Sequence, residues 1–231
     1  MVLYGASGHC RVIVDILEAL GLPIDYIVDD NPAITSLLDY PVRRNCGEYD
    51  EAIVAIGKNN IRKQIVESIK VGKYLSAVHP TAIVSPRAKM GCGTVVMQGA
   101  IIQSCAQIGN HCIVNTGASL DHDVQIGDFV HIAPHCTVCG GSKIGEGTWL
   151  GAGSTVIQGI SIGKYCFIGA GAVVVKDIPD GCLCYGNPAR IIRQIPEKRI
   201  EETARCGGGK FEFRVGCRSV SCNCGERRLA A

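Results

Sequence analysis

The sequence predicts a small α/β domain over residues 1–75, a parallel β-helix over 76–193, and a tail of different character over 194–231. Three observations carry this. An aliphatic side chain recurs every six residues from Val78 to Val174 without a break in phase. The segment before it alternates short apolar runs with stretches of helical period. Glycine is abundant, at 29 residues, while aromatics are few, which suits a chain with many tight corners.

In the first segment VLYG reads as a strand. GASGH follows, then RVIVDILEALG, apolar at helical spacing and closed by a glycine. PIDYIVDD reads as a second strand ending in two acids, EAIVAIG as a third, and KNNIRKQIVESIKVG as an amphipathic helix. Strand, helix, strand, strand, helix is a small Rossmann-like parallel sheet. Glycines at the carboxyl end of the first strand let the backbone approach a ligand. The helix behind them offers unpaired N–H groups and a positive dipole end. Asp29 and Asp30 end the next strand, where ribose or base donors are commonly read. Gly5-Ala6-Ser7-Gly8 lacks the three-glycine spacing of a dinucleotide fingerprint, so a mononucleotide group fits better than NAD. Taken alone, the motif also fits a tight turn with no ligand.

The middle of the chain is a hexapeptide array. Within each hexad the aliphatic residue i and the small residue at i−2 point inward, i−1 and i+1 point outward, and i+2 and i+3 turn the corner. Three hexads close one triangular coil, and coils stack at about 4.8 Å. Residues eighteen apart therefore form columns. One face carries Lys89, Gln107, Gln125 and Lys143 and is expected to be solvated. A second stacks Val95, Ile113, His131, Trp149 and Phe167 outward and needs cover. The third is mixed and turns apolar at Ile157, Val173 and Val175. Side-by-side association as a homotrimer, with the second face against a neighbour, is the expected solution. The register puts His122, Asp123 and His135 at corners and His131 on the second face.

A net charge of +2 gives no broad field for nucleic acid or anionic membrane. The opening MVLYGASGHC has no basic leader-like region, and no apolar run reaches a membrane span, so the expected location is cytoplasmic. Ten cysteines, Cys10 to Cys184, lie scattered without paired short spacings and read as reduced, buried small hydrophobes. The tail holds Cys206, Cys217, Cys222 and Cys224 with no hexads. It reads as a disordered tail or sequence scar, with a metal knuckle as the alternative.

YGASGH (4–9), VDD (28–30), AIVAIGKNNIRK (52–63), HPTAIVSP (79–86), NTGASLDHDVQIGDFVHIAP (115–134) and YGNPAR (185–190) together resemble the NeuD/PglD-like sugar O- or N-acetyltransferases. These are a branch of the left-handed β-helix hexapeptide transferases, and the likeness spans residues 2 to about 193. The resemblance implies acetyl transfer from acetyl-CoA to an amine or hydroxyl of a nucleotide-linked sugar. It implies a catalytic histidine at His122, supported by Asp123 where relatives often carry glutamate. It implies acetyl-CoA contacts at His131, Ala152 and Ala170, and nucleotide-sugar contacts at Ser7, Gly8, His9, Asp29, Asp30 and Gly57. A UDP-linked 4-amino sugar is the first expected acceptor. A sialic-acid-type O-acetyl acceptor and a GDP-linked amino sugar are the alternatives.

A histidine suits such chemistry because an amine attacking a thioester must lose a proton as it attacks, and an imidazole is mostly neutral at pH 7. A neighbouring carboxylate fixes its tautomer and raises its basicity. Two rival classes remain at this point. A zinc enzyme would need three histidines converging on one cleft, but His131 is outward, His135 lies at a corner, and Val95 occupies the column two coils above His131; no metal is expected. A non-catalytic sensor of nucleotide sugars would use the GASGH domain alone.

Overall fold

The computed structural model describes residues 1–195, so the four tail cysteines lie outside the described residues. Strand β1 (Val2–Tyr4) leads into α1 (Gly8–Ala19). The helix buries Cys10, Ile13, Val14, Ile16 and Leu17, one stripe at helical spacing. It stops at Gly21, whose φ of 65° lets the N–H groups of Gly21 and Leu22 turn back onto Glu18 and Leu17. After β2 (Tyr26–Val28) the chain forms a hairpin, β3 (Ser36–Leu37) and β4 (Tyr40–Arg43), then β5 (Glu48–Val54), α2 (Asn59–Ser68) and β6 (Lys70–Tyr74). The sheet order is β3-β4-β2-β1-β5-β6, parallel except for the hairpin. The expected parallel sheet is present, with two differences. The hairpin was not foreseen. The last helix is four residues shorter at its C-terminal end than the sequence pattern suggests, because Lys70–Tyr74 pairs with β5 instead.

From Ala77 the chain winds as a three-sided parallel β-helix of two-residue strands. Partners are eighteen residues apart, as in Ile113↔His131 and His131↔Trp149. The aliphatic column from Val96 to Val174 is buried, together with the small residues Thr94, Ala100, Ala106, Cys112 and Ala118 inside it. A hairpin of Cys182–Tyr185 and Arg190–Gln194 closes the last coil. Six of the ten cysteines are buried as expected; Cys46 and Cys105 are exposed, and Cys92 and Cys139 are half-buried.

The outward ladder is covered, but not as the sequence suggested. Val95 and Ile113 share one apolar cluster with Leu3, Ile13, Leu17 and Ile53. The chain's own α/β domain therefore lies on this face, where a neighbouring subunit was expected. Apolar surface needs cover from any source, and a domain tethered a few residues away supplies it at high effective concentration.

The docking has a polar anchor in Arg62 of α2, which is 1% exposed. Its Nε donates to His111 O at 2.8 Å and one Nη2 bond goes to Phe129 O at 3.0 Å, both on the β-helix. The other bonds go to Ile56 O, Gly57 O and Asn59 Oδ1 within the α/β domain. Burial lowers its pKa to about 10, so it stays charged at neutral pH. Beside it, Lys63 Nζ meets Glu146 Oε1 at 2.6 Å and the Tyr165 hydroxyl at 2.9 Å. Among the described residues no helix is long and apolar enough to cross a membrane.

Candidate active site

From Gly93 to Gly171 the corner residue i+3 takes a positive φ. Glycine fills most of these corners, but at 123 the chain accepts Asp, with φ 58°. That conformation brings the Asp123 carboxylate against the preceding imidazole. Asp123 Oδ2 lies 2.8 Å from His122 Nδ1, and the His122 backbone N–H donates to Asp121 Oδ1 at 2.7 Å. A carboxylate only accepts, so Nδ1 carries the proton and Nε2 presents its lone pair. The bond from Asp123, followed by the charge of Asp121, raises the His122 pKa above the ordinary histidine value. Both side chains are exposed, at 63% and 65%. The short acid thus reaches the adjacent imidazole directly.

One coil below, Gly140 lies under the imidazole. A Cβ there would sit 2.7 Å from His122 Cε1 and Nε2. Sequence reasoning missed this residue, although the signal was present. Gly141 alone satisfies the corner, with φ 68°, so the second glycine of the pair needs another reason.

Ala152 and Ala170 are exposed at a different corner, each followed by a glycine of positive φ. They stack one coil apart and leave a shallow, side-chain-free edge. His122 and these alanines stand at opposite edges of the mixed third face, whose Thr137, Cys139, Thr155, Ile157, Val173 and Val175 are half-buried in the single chain.

His131 is 5% exposed beneath the α/β domain. Its Nδ1 faces Gly57 O at 3.1 Å, and its Nε2 faces Asn115 Nδ2 at 3.2 Å. A carbonyl accepts only, so Nδ1 carries the proton and Nε2 accepts from Asn115. Asn115 Oδ1 in turn accepts the Thr116 N–H at 2.8 Å. Burial, followed by the charge of Arg62, pushes the His131 pKa down to about 3 and that of His111 to about 4. His131 is therefore a neutral staple from the α/β domain to the β-helix, and the face expected to meet a neighbour is closed over it.

In the α/β domain Ser7 caps α1 in an extended conformation without a side-chain capping bond, and Ser7 and Gly8 are exposed. His9 follows in the first turn. Its Nε2 is buried with no partner, and burial, followed by Arg62, lowers its pKa to about 4. Asp29 departs from the simple ligand-reading role. Its oxygens accept the N–H groups of Ala6 at 2.8 Å and Asn31 at 2.9 Å, so it ties the Gly5 turn to the loop after β2. Asp30 is exposed and bonded to the Tyr4 hydroxyl at 2.7 Å. Arg44, also missed, donates to Asp29 O and Asn31 O and fixes the same loop. Gly57 ends the run after β5 and bonds His131. His9 and Gly57 thus lie together at the carboxyl edge of the sheet, against the His131 strand, with Ser7 at the start of α1. Among the described residues no group of three or more His, Cys, Asp or Glu is placed to hold a metal ion.

Comparison with known proteins matches residues 1–69 to the PglD N-terminal domain and residues 106–140 and 141–176 to the bacterial transferase hexapeptide (six repeats). A variant of the perosamine N-acetyltransferase of Caulobacter crescentus, solved with CoA and GDP-perosamine, is 35% identical. It superposes with a TM-score of 0.78 over 84% of this chain and 96% of that one. The acetyltransferase domain of PglB from Neisseria gonorrhoeae is 37% identical with a TM-score of 0.77, over 83% of this chain and 98% of that one. It has also been solved with acetyl coenzyme A. The UDP-N-acetylbacillosamine N-acetyltransferase of Bacillus subtilis (strain 168) is 48% identical over 47 residues, which span 20% of this chain and only 22% of that protein.

Proposed function

The chain belongs to the acyltransferases that join a PglD-type N-terminal domain to a left-handed hexapeptide β-helix, and from that membership we propose that it acetylates the amine of a nucleotide-linked amino sugar with acetyl-CoA. A UDP-linked 4-amino sugar is the first acceptor in this reading. A GDP-linked amino sugar is the second, favoured by the GDP-perosamine in the superposed enzyme. The observation that carries the proposal is the His122–Asp123 pair, with the imidazole proton held on Nδ1 and Nε2 free.

The steps follow from that geometry. The amine attacks the thioester carbonyl while His122 Nε2 takes its proton. The tetrahedral intermediate collapses, the C–S bond breaks, and the imidazolium returns the proton to the departing CoA thiolate. Asp123 stabilises the imidazolium between the two transfers. Ala152 and Ala170 leave room for the pantetheine arm. Ser7, Gly8, His9 and Asp30 surround the nucleoside diphosphate, where two helix N-termini favour an anion. His131 supports this end of the site from beneath.

A single chain does not close the site, since His122 is 63% exposed and faces open solvent. A homotrimer packed through the half-buried third face supplies the missing wall and excludes water. The test is a panel of UDP-, GDP-, dTDP- and CMP-linked sugars, followed by thiol release from acetyl-CoA. His122→Ala is expected to lose at least about 10²-fold in kcat while still binding acetyl-CoA. Unchanged turnover in that variant, or acetylation of no amino sugar, refutes the reading.

A further inference from the structure

The outward ladder continues past the edge of the α/β domain as a strip of aromatic rings. Val95 is 2%, Ile113 1% and His131 5% exposed. Trp149 is half-buried, Phe167 is 37% and Tyr185 43% exposed. The cover therefore stops at Trp149. The rings are in register: His131 and Trp149 have centroids 3.9 Å apart, and Trp149 and Phe167 stack at 6.0 Å with planes 13° apart. Tyr185 meets Phe167 edge-on at 6.5 Å.

What borders this edge is the carboxyl side of the parallel sheet. Gly57 O is bonded to His131, and Asn59, at the start of α2, donates to Gly147 O and Thr148 O, immediately before Trp149. The His9 ring stands 6.5 Å from His131, with its buried Nε2 unpartnered. Ligands of open α/β sheets sit in the crevice outside the carboxyl ends of the strands. Here the floor of that crevice belongs to the β-helix, and it is aromatic.

On the proposed reading of the site, we infer that Trp149 and Phe167 form the platform on which the sugar ring of the nucleotide-linked substrate lies. A diphosphate at the start of α1 directs the attached sugar away from the nucleoside, toward the ladder. A pyranose presents a contiguous C–H face, which loses hydration on an aromatic ring and gains contact there. The ladder also leads to the donor side. Ala152 and Ala170 follow Trp149 and Phe167 by three residues on the same two coils, about 10 Å of extended chain. Gly151 and Gly169 between them are buried and let successive coils stack closely at this corner. A Cβ at Gly151 would meet the backbone at Gly169 and Ala170, and one at Gly169 would meet the Tyr185 ring. A sugar on the platform thus holds its amine beside the thioester corner. His122 of the same chain stands across the third face, so the imidazole that meets this amine comes from a neighbouring copy packed on that face.

Trp149 is the sole tryptophan of the chain, so its emission reports the platform directly. Expected is a change in Trp149 emission with UDP- or GDP-linked 4-amino sugars and none with UDP, GDP or CoA alone. Phe167→Ala, at an exposed position, is expected to raise KM for the nucleotide sugar about tenfold and to leave KM for acetyl-CoA unchanged. An equal response to the bare nucleotide assigns the rings to the nucleoside and overturns the inference. A response to CoA, or a raised KM for acetyl-CoA, assigns them to the donor and overturns it too. So does silence of Trp149 toward a sugar that is turned over. Failure of the function itself is distinct, because it shows as absence of turnover with every sugar.

Discussion

Replacing Arg62 by methionine tests how the two domains are held. The guanidinium has five N–H groups and five acceptors, and four of those are backbone carbonyls: His111, Phe129, Ile56 and Gly57. No carboxylate is among these acceptors. Two effects oppose each other in Arg62→Met. Removing a buried cation relieves a desolvation penalty of several kcal/mol, which is why apolar replacement of buried ion pairs is often neutral. Here the acceptors stay behind, because main-chain carbonyls cannot be substituted away. Each one left unpaired in the interior costs about 1–3 kcal/mol. Some relief comes at Gly57 O, which also accepts from His131. The carbonyls therefore outweigh the cation, and a net loss of about 2–5 kcal/mol is expected, from four carbonyls at about 1–3 kcal/mol each less the several kcal/mol of relieved desolvation.

The loss should fall on the α/β domain, since His111 O and Phe129 O are part of its polar hold on the β-helix, beside the Asn59, Lys63 and Gly57 contacts. Urea unfolding is expected to show an earlier first transition. Limited proteolysis should cut between residues 58 and 76 while the hexapeptide coils persist. A variant as stable as the parent, with the same protease resistance, would refute the argument that unpaired carbonyls decide the balance.

Asp123→Asn should move the acid limb of the kcat/KM–pH profile to lower pH while lowering its plateau. The carboxylate raises the His122 pKa, so below that pKa the base is protonated and inactive, and its loss lets the imidazole deprotonate at lower pH; a profile that does not move excludes His122 as the titrating base. Gly140→Ala places a methyl against the exposed imidazole, which can swing into solvent; stability should change by less than about 1 kcal/mol while kcat falls about 10- to 100-fold, and circular dichroism melting with steady-state kinetics separates the two.

The six-residue period made the coil, its interior and its columns legible, because one inward residue per hexad is a requirement of packing. It placed His122, Asp123, Ala152 and Ala170 at corners and His131 on an outward column. It could not say what covers that column. A buried His131 and a subunit-contacting His131 leave the same mark in the sequence, and only the cluster of Val95 and Ile113 with α1 distinguishes them. Arg62 and Lys63 were hidden for a related reason. In KNNIRKQIVESIK they read as the polar face of an amphipathic helix, and charge on a helix surface is ordinarily solvated. The hairpin Ser36–Arg43 carries little alternation and an unhelpful turn, with Leu38 at φ 52°.

The corners connect these points. Left-handed backbone costs a residue with a Cβ about 1–2 kcal/mol, and glycine avoids that cost. Non-glycine residues nevertheless hold it at Cys105, His111, Asp123, Phe129, His135 and Tyr165. Four of the six have an account in the structure. His111 and Phe129 stack on each other and give their carbonyls to Arg62, Tyr165 bonds Lys63, and Asp123 bonds His122. The structure explains neither Cys105 nor His135. In a fold whose turns would all accept glycine, a side chain kept at positive φ is therefore a signal readable from sequence once the register is known. In this chain it marks three residues that help to dock the α/β domain and the one that orients the His122 imidazole. Docking covers the outward ladder as far as Trp149, so the strained corners at His111, Phe129 and Tyr165 bear on how much of that face stays open to a ligand.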